Sequence, residues 1–467
     1  MNFPISRSSM PLSSRLLPAA ALATALLVPA GVLAGGFSVS EVGSRESGRG
    51  TAAAALAISP SAIFYNPANI APQEGLRLQL GGSGLMPRWK HTSLDAQPVE
   101  SQSKTGVITP PHFAASYRLA ESGLGDVALG VGVFVPYGST FGWPSDWLGR
   151  EEIEDIALTV FEVAPTLAWR PHKLVAIGAS FRYLPASVYM KQGVRFGGAQ
   201  EGSVELSGSG SGMGAAAGVT FFPLDGLAVA FAWRSSVTLK MEGESNFHFD
   251  PPFDTQANDR DVRTEVPLPH NFRIGLAYEP LKDLSLSADF EIQRWKSFKE
   301  LAVVFVNPDG TEEVSASPRN SKNSVLFHIG GEYRLAESFA LRAGYIYDQH
   351  TLPEETLNPA PPDSDKHVAT LGASVYLGQF GVHANFSNVF FSKRTSKTNS
   401  LPGEWNGAWP GGTMAYIFGL SLSANLDLAA PIGTRPVTAP AASATPTTAP
   451  ASPEDGPAAT PTTSQQP

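Results

Sequence analysis

From Leu76 onward the chain alternates apolar residues with small or polar ones at a period of two, the pattern of β-strands whose two faces meet different surroundings. Val127, Leu129, Val131, Val133 and Val135 alternate with Ala128, Gly130, Gly132 and Phe134. Val175, Ile177, Ala179, Phe181 and Tyr183 alternate with Ala176, Gly178, Ser180 and Arg182. Phe272, Ile274, Leu276 and Tyr278 do so with Arg273, Gly275 and Ala277, and Leu284, Leu286, Ala288, Phe290 and Ile292 with Ser285, Ser287, Asp289 and Glu291. The cleanest segment is the last, where Tyr416, Phe418, Leu420 and Leu422 alternate with Gly419, Ser421 and Ser423. About fourteen segments follow one another, at roughly 76–91, 106–119, 126–136, 157–170, 173–195, 203–222, 226–244, 263–279, 284–305, 322–334, 338–350, 366–377, 380–394 and 412–428. Connections alternate between short ones such as Gly378-Gln379 and long ones such as Thr395–Gly411.

The same alternation would suit a soluble sandwich. Three features favour a barrel in a membrane. Segments of roughly ten residues or more can cross a bilayer at a tilt. Aromatic residues recur near segment ends, among them Trp89, Tyr117, Trp169, Trp233, Tyr278, Trp295 and Tyr333, as interfacial girdles do. Arg182, Arg234, Arg273 and Arg342 all fall on the small or polar register of their segments. An Arg on the lipid face at mid-depth would cost roughly 2–4 kcal/mol, so that shared register is a lumen-facing one. The expected fold class is all-β: a transmembrane antiparallel barrel of about fourteen strands spanning residues 76–428.

Composition sharpens this picture. The run Leu16–Ala34, preceded by Arg7 and Arg15 and ending Val32-Leu33-Ala34, reads as a signal peptide over residues 1–34. Pro18 and Pro29 interrupt it, which counts against an anchoring helix. Residues 429–467 form a Pro/Ala/Thr-rich tail that reads as disordered. A net charge of −9 argues against a nucleic-acid partner. The absence of cysteine removes disulfides, thiolate metal sites, a Cys nucleophile and a lipoprotein anchor.

Chemistry-bearing residues are few. His383 and Ser387 share a strand face, but a spacing of four places them roughly 13 Å apart, too far for proton transfer. Asp363, Asp365 and His367 read as a solvated loop before a cation site, and Asn307-Pro308-Asp309-Gly310 as a tight turn. No catalytic residue, metal site or cofactor is expected, and the chain does not read as an enzyme. Asn66-Pro67 is a turn signal, and Thr51–Ala57 a short helix or buried segment.

Several of these stretches together resemble the FadL/TodX family of outer-membrane channels for long-chain fatty acids and other hydrophobic compounds. The resemblance rests on Phe37, Gly48-Arg49-Gly50 and Asn66-Pro67-Ala68, then Val135-Pro136-Tyr137-Gly138 with Trp147-Leu148-Gly149-Arg150. Val266-Pro267-Leu268-Pro269, Asp289-Phe290, Arg294-Trp295 and Leu341-Arg342-Ala343-Gly344-Tyr345 continue it in order. One departure is the end of the last strand, Leu426-Asp427-Leu428, which lacks the family's terminal aromatic residue and is followed by the tail.

The resemblance implies a fourteen-stranded barrel whose lumen is plugged by an N-terminal hatch, here residues 35–75, with Phe37, Asn66, Pro67 and Ala68 holding or gating it. It implies an outer-membrane protein that meets membrane lipid, lipopolysaccharide and the barrel assembly machinery. It further implies passive uptake of hydrophobic molecules, long-chain fatty acids first; monoaromatic hydrocarbons are the alternative, and a general porin or adhesin the alternative of another class. Arg182, Arg273 and Arg342 are the expected contacts for a ligand carboxylate, and pairing with Asp289, Glu291 or Glu332 is their competing role. Gly130, Gly132 and Pro136 on the third strand mark the expected sideways exit, where glycine and proline weaken pairing. Burying an acyl chain stabilises by about 0.8 kcal/mol per methylene. Release therefore needs a second state of lower affinity, which a movable hatch would supply.

Overall fold

The computed structural model describes residues 37–426 apart from 57, 95, 105, 120–124, 197–199, 250, 252–258, 361, 397–406 and 410–411. The expected signal peptide (residues 1–34), residues 35 and 36, the expected tail (429–467) and the end of the last strand at Asp427-Leu428 lie outside the described residues.

Fourteen antiparallel strands form a closed wall. They are β1 (Leu76–Pro87), β2 (Pro111–Arg118), β3 (Asp126–Gly142), β4 (Asp155–His172), β5 (Val175–Phe196) and β6 (Gln200–Leu224), followed by four broken strands. These are β7 (Leu227–Arg234 and Val237–Phe249), β8 (Arg260–Leu268 and Asn271–Leu281), β9 (Leu284–Gln293 and Glu300–Val306) and β10 (Glu312–Pro318 and Ser324–Ala336). The ring ends with β11 (Phe339–Asp348), β12 (Lys366–Leu377), β13 (Phe380–Phe391) and β14 (Gly412–Leu426). It closes where β1 pairs with both β14 and β2, for example Leu80 with Leu422 and Phe113. Two-residue turns, such as Asp225-Gly226 and Gly378-Gln379, occupy one end; both glycines there have positive φ, at 75° and 62°. Long loops occupy the other end.

The apolar register of each strand faces outward and is exposed: Leu129, Phe181, Ile274, Leu286, Phe327, Leu420 and Leu422. The small or polar register faces inward and is buried, including Arg182, Arg273, Asp289, Glu291 and Arg342. A water-soluble protein would place these faces the other way round, so the outside of this wall is built for hydrocarbon.

In the loop-end pieces of β7, β8 and β9 the polarity reverses. Val237, Leu239, Met241, Val266, Leu268, Leu301, Val303 and Phe305 point inward and are buried. Lys240, Glu242, Arg263, Glu265 and Glu300 on the same pieces are exposed. The strand breaks therefore mark where the wall leaves the membrane. In β7 the inward residues Arg234 and Val237 are three apart, so the break shifts the alternation by one residue. The sequence reading of 226–244, 263–279 and 284–305 as continuous strands missed these breaks. It also took 306–321 as a loop, whereas Glu312–Pro318 pairs with Glu300–Val306 as a hairpin above the membrane.

Residues 37–75 lie inside the ring. They include two short helices, α1 (Ser44–Ser47) and α2 (Ala62–Tyr65), and a 3-10 turn at Pro67–Ile70. Inward glycines let this segment's backbone touch the wall. A Cβ on Gly330 would sit 1.9 Å from the Arg49 carbonyl oxygen, one on Gly344 2.3 Å from the Arg49 carbonyl carbon, and one on Gly178 2.5 Å from Ala68 N.

Candidate functional site

The N-terminal segment is held by polar wall residues aimed at its backbone. Asp289 Oδ2 accepts from the N–H groups of Ala53 and Ala54, at 2.9 and 3.0 Å. Thr370 Oγ1 accepts from Gly50 N at 3.0 Å, and Ser421 Oγ from Ser44 N at 2.9 Å. Asn66 binds three ways: its Nδ2 donates to Ala54 O at 2.8 Å and to Thr220 Oγ1 at 2.9 Å, and its Oδ1 accepts from Ala68 N at 3.1 Å, capping the 3-10 turn that Pro67 opens. Asn66, Pro67 and Ala68 are all buried.

Arginines and carboxylates alternate around the inner wall. Arg182 and Arg234 share Glu162, at 2.8 and 2.6 Å. Arg234 also donates to Phe64 O of the segment. Arg273 pairs with Glu291 and reaches Asp289 at 3.5 Å. Glu332 takes Arg45 of the segment at 2.8 Å and Arg342 at 2.6 Å. Each of Arg182, Arg273 and Arg342 is thus paired with a wall carboxylate; none of the three lines the loop-side cavity, while Arg273 lines a smaller pocket that shares Ser38 and Ser40 with it. Arg49 is buried against Ser285 and Ser287, and burial pushes its guanidinium down to about 10.

That cavity, about 160 Å³, lies between the start of the segment and the wall on the loop side. Phe37, Ser38, Val39, Ser40 and Glu41 form one side, and Leu85, Trp89, Phe141, Leu326, Ile346, Val368, Val389, Phe391 and Ile417 most of the rest. Its surface is mainly apolar, and among the described residues that line it the charged ones are Glu41, Asp348 and Lys366. Phe37 stacks edge-on against Tyr137 and Trp295, with centroids 5.8 and 5.2 Å apart. Beyond the cavity, Trp143 and Trp147 stack at 4.4 Å and, with His91 and Trp409, form a buried aromatic cluster from separate loops.

The wall beside the cavity is incomplete. β2 pairs with β3 only as far as Phe113 and Val133. Among the described residues no wall strand pairs with 134–141 of β3 on that side, and Lys104 of the β1–β2 connection bridges Gly142. At Pro136 the strand bulges, with Phe134 opposite Glu162 and Tyr137 opposite Val160. The free edge is taken by the N-terminal segment: Val39 N donates to Pro136 O at 2.8 Å and Gly138 N to Phe37 O at 2.9 Å. Gly130 and Gly132 sit below the gap. A Cβ on Gly130 would meet Ile63 and Ile70 at 2.8 and 2.9 Å, and one on Gly132 the Phe134 ring at 2.3 Å.

The remaining polar residues are engaged locally. His383 bonds Ser374 and Ser423 at 2.5 and 2.8 Å, and not Ser387. Asp363 caps Thr351 and Leu352, Asp365 meets His350, and His367 meets Tyr345.

Comparison with known proteins agrees with this architecture. The family described as outer membrane protein transport protein (OMPP1/FadL/TodX) matches residues 25–427, so the chain belongs to the FadL/TodX family. It is an outer-membrane β-barrel of a transport family for hydrophobic compounds, which is not a family of enzymes. Among solved structures it is similar to a Pseudomonas aeruginosa FadL homologue, at TM-score 0.73 and 19% identity over 84% of this chain and 99% of that one. The Ralstonia pickettii toluene transporter TbuX matches at TM-score 0.64 and 18% identity, over 82% of this chain and 98% of the other. An outer membrane protein of Neisseria meningitidis serogroup B is 22% identical over 444 residues, covering 83% of this chain and 94% of that protein.

Proposed function

We propose that the protein, exported by its signal peptide, takes up hydrophobic molecules through the cavity, with residues 37–75 as a hatch and the gap beside β3 as a sideways exit. The observation that carries this reading is the apolar cavity itself, bounded by the N-terminal segment next to an incomplete wall. A molecule leaving through that gap would pass into the membrane without crossing water. Release would follow from withdrawal of Phe37–Glu41, since those residues form one side of the cavity and also cover the β3 edge.

Size favours single-ring molecules over long acyl chains as whole occupants. An apolar cavity of about 150 Å³ holds a benzene, and this one is about 160 Å³. A long-chain fatty acid would need the segment displaced as well, and the three lumen arginines expected to receive its carboxylate are already paired. Fatty acids remain the second reading, supported by the similarity to the FadL homologue. The test is uptake of labelled toluene and labelled oleate by cells whose own channels of this kind are deleted. Expression of the protein should raise toluene uptake, and Val389→Trp, which fills the cavity, should abolish the gain at unchanged surface level. Equal uptake by the filled variant would refute the reading.

A further inference from the structure

The charged end of the cavity bears on which molecules it admits. Lys366, at the start of β12, is the one cation among the described residues that line it. Its Nζ lies 2.7 Å from Asp348 Oδ2, on the neighbouring strand. Glu41, carried in by the N-terminal segment, lines the same end. Asp363, just before β12, does not line the cavity; its Oδ2 is held by the N–H groups of Thr351 and Leu352. One ammonium thus shares this end with two carboxyl groups, and its direct partner is already in place.

We propose that Glu41 and Asp348 set the selectivity of the cavity: they cancel Lys366, so that it accepts uncharged hydrophobic molecules and rejects carboxylates. The inference rests on the uptake reading above and names the ligand class of that same site. An incoming carboxylate would bring a further negative charge into an apolar enclosure without a free cation, which is costly in low dielectric. A neutral ring meets Phe37, Trp89, Phe141 and Phe391 among aliphatic side chains, and a hydroxyl on it finds the Glu41 carboxyl as a partner. The negative side has two origins, strand and segment. Withdrawal of the segment would remove Glu41 and leave Asp348 in place.

The test is binding to the full-length mature protein in lipid nanodiscs at about pH 8, where benzoate and dodecanoate are ionised. Toluene is compared with benzoate, and dodecanol with dodecanoate. Wild type should bind each neutral partner at least about tenfold more tightly. The double variant Glu41→Gln with Asp348→Asn removes both carboxylates that line the cavity with Lys366. It should gain at least about tenfold for both carboxylates while toluene changes less than about threefold. Adding Lys366→Met should remove that gain. Wild type binding benzoate as tightly as toluene would overturn the inference, as would a folded double variant, judged by heat-modifiable gel mobility, with no gain. If the double variant does not fold, the wild-type pairs decide alone. A folded wild type that binds none of the four overturns the uptake reading and this inference with it.

Discussion

At the residue scale, the buried groups that tie segment to wall work by satisfying each other, and removing one member leaves the rest exposed to that loss. Asn66 supplies two donated bonds and one accepted bond in a buried setting. Asn66→Ala removes all three; Thr220 and the Ala54 carbonyl keep Asn69 as a partner, so the Ala68 N–H is the group left unsatisfied, at about 1–3 kcal/mol. The barrel should still form, with a lower thermal midpoint and reduced uptake; unchanged uptake at normal surface level would reduce Asn66 to a structural turn residue. Glu152, in the loop between β3 and β4, offers a pH-dependent test. Burial is the main cause that pushes its carboxyl up to about 7, against the opposing pull of Arg319 and with a smaller contribution from Glu151. The folded loop therefore holds this proton more tightly than the unfolded one. Its stabilising effect is full below the ordinary value near 4.5 and declines as pH rises from there to about 7. Amide exchange in residues 147–154, corrected for the intrinsic rate, should be at least about tenfold better protected at the acid end of that range. Glu152→Gln should flatten the profile.

At the element scale, alternation made most of the wall legible, because an outward apolar face and an inward polar face repeat every two residues whatever the loops do. Arg182, Arg273 and Arg342 could be placed inward from register alone. Their partners could not all be placed: Glu162, the shared partner of Arg182 and Arg234, lies on β4 and was not singled out, since pairing across strands depends on register between segments distant in sequence. The breaks in β7–β9 were missed for a related reason. A strand that leaves the membrane keeps its period of two and reverses its polarity, so Val237, Leu239 and Met241 look like a continuation of a lipid face. The glycines carried a signal that was only half read. Gly330 and Gly344 are register partners on β10 and β11, and together they form the flat ground on which Arg49-Gly50 lies, with Gly372 of β12 against Gly48. Gly330→Val should leave an intact, heat-modifiable barrel in which the segment cannot seat. Trypsin should then cut at Arg45 or Arg49 in the variant and spare the wild type, where both are buried. Equal resistance would mean that the wall moves aside to accept a side chain.

At the scale of the whole molecule, the incomplete wall, the cavity and the N-terminal segment meet at one pair of residues. Ser38 and Tyr137 face each other across the bridge between segment and β3. The flanking bonds belong to their neighbours, Val39 to Pro136 and Gly138 to Phe37, which makes Ser38 and Tyr137 a non-hydrogen-bonded pair. Such pairs have Cα atoms about 4.5 Å apart, within disulfide range. The chain contains no cysteine, so Ser38→Cys with Tyr137→Cys creates a single lock and no competing thiol. Oxidation should fasten the segment over the β3 edge and hold Phe37 and Glu41 against the cavity. If the segment must withdraw for cargo to leave, the oxidised protein should still bind a ligand that fits the existing cavity but pass almost none of it, and reductant should restore uptake. Each single-cysteine variant should be insensitive to oxidant, which separates the lock from the loss of the Tyr137 ring. Full uptake in the oxidised double variant would show that cargo leaves without moving this strand, and the exit would then have to be sought through residues 44–75.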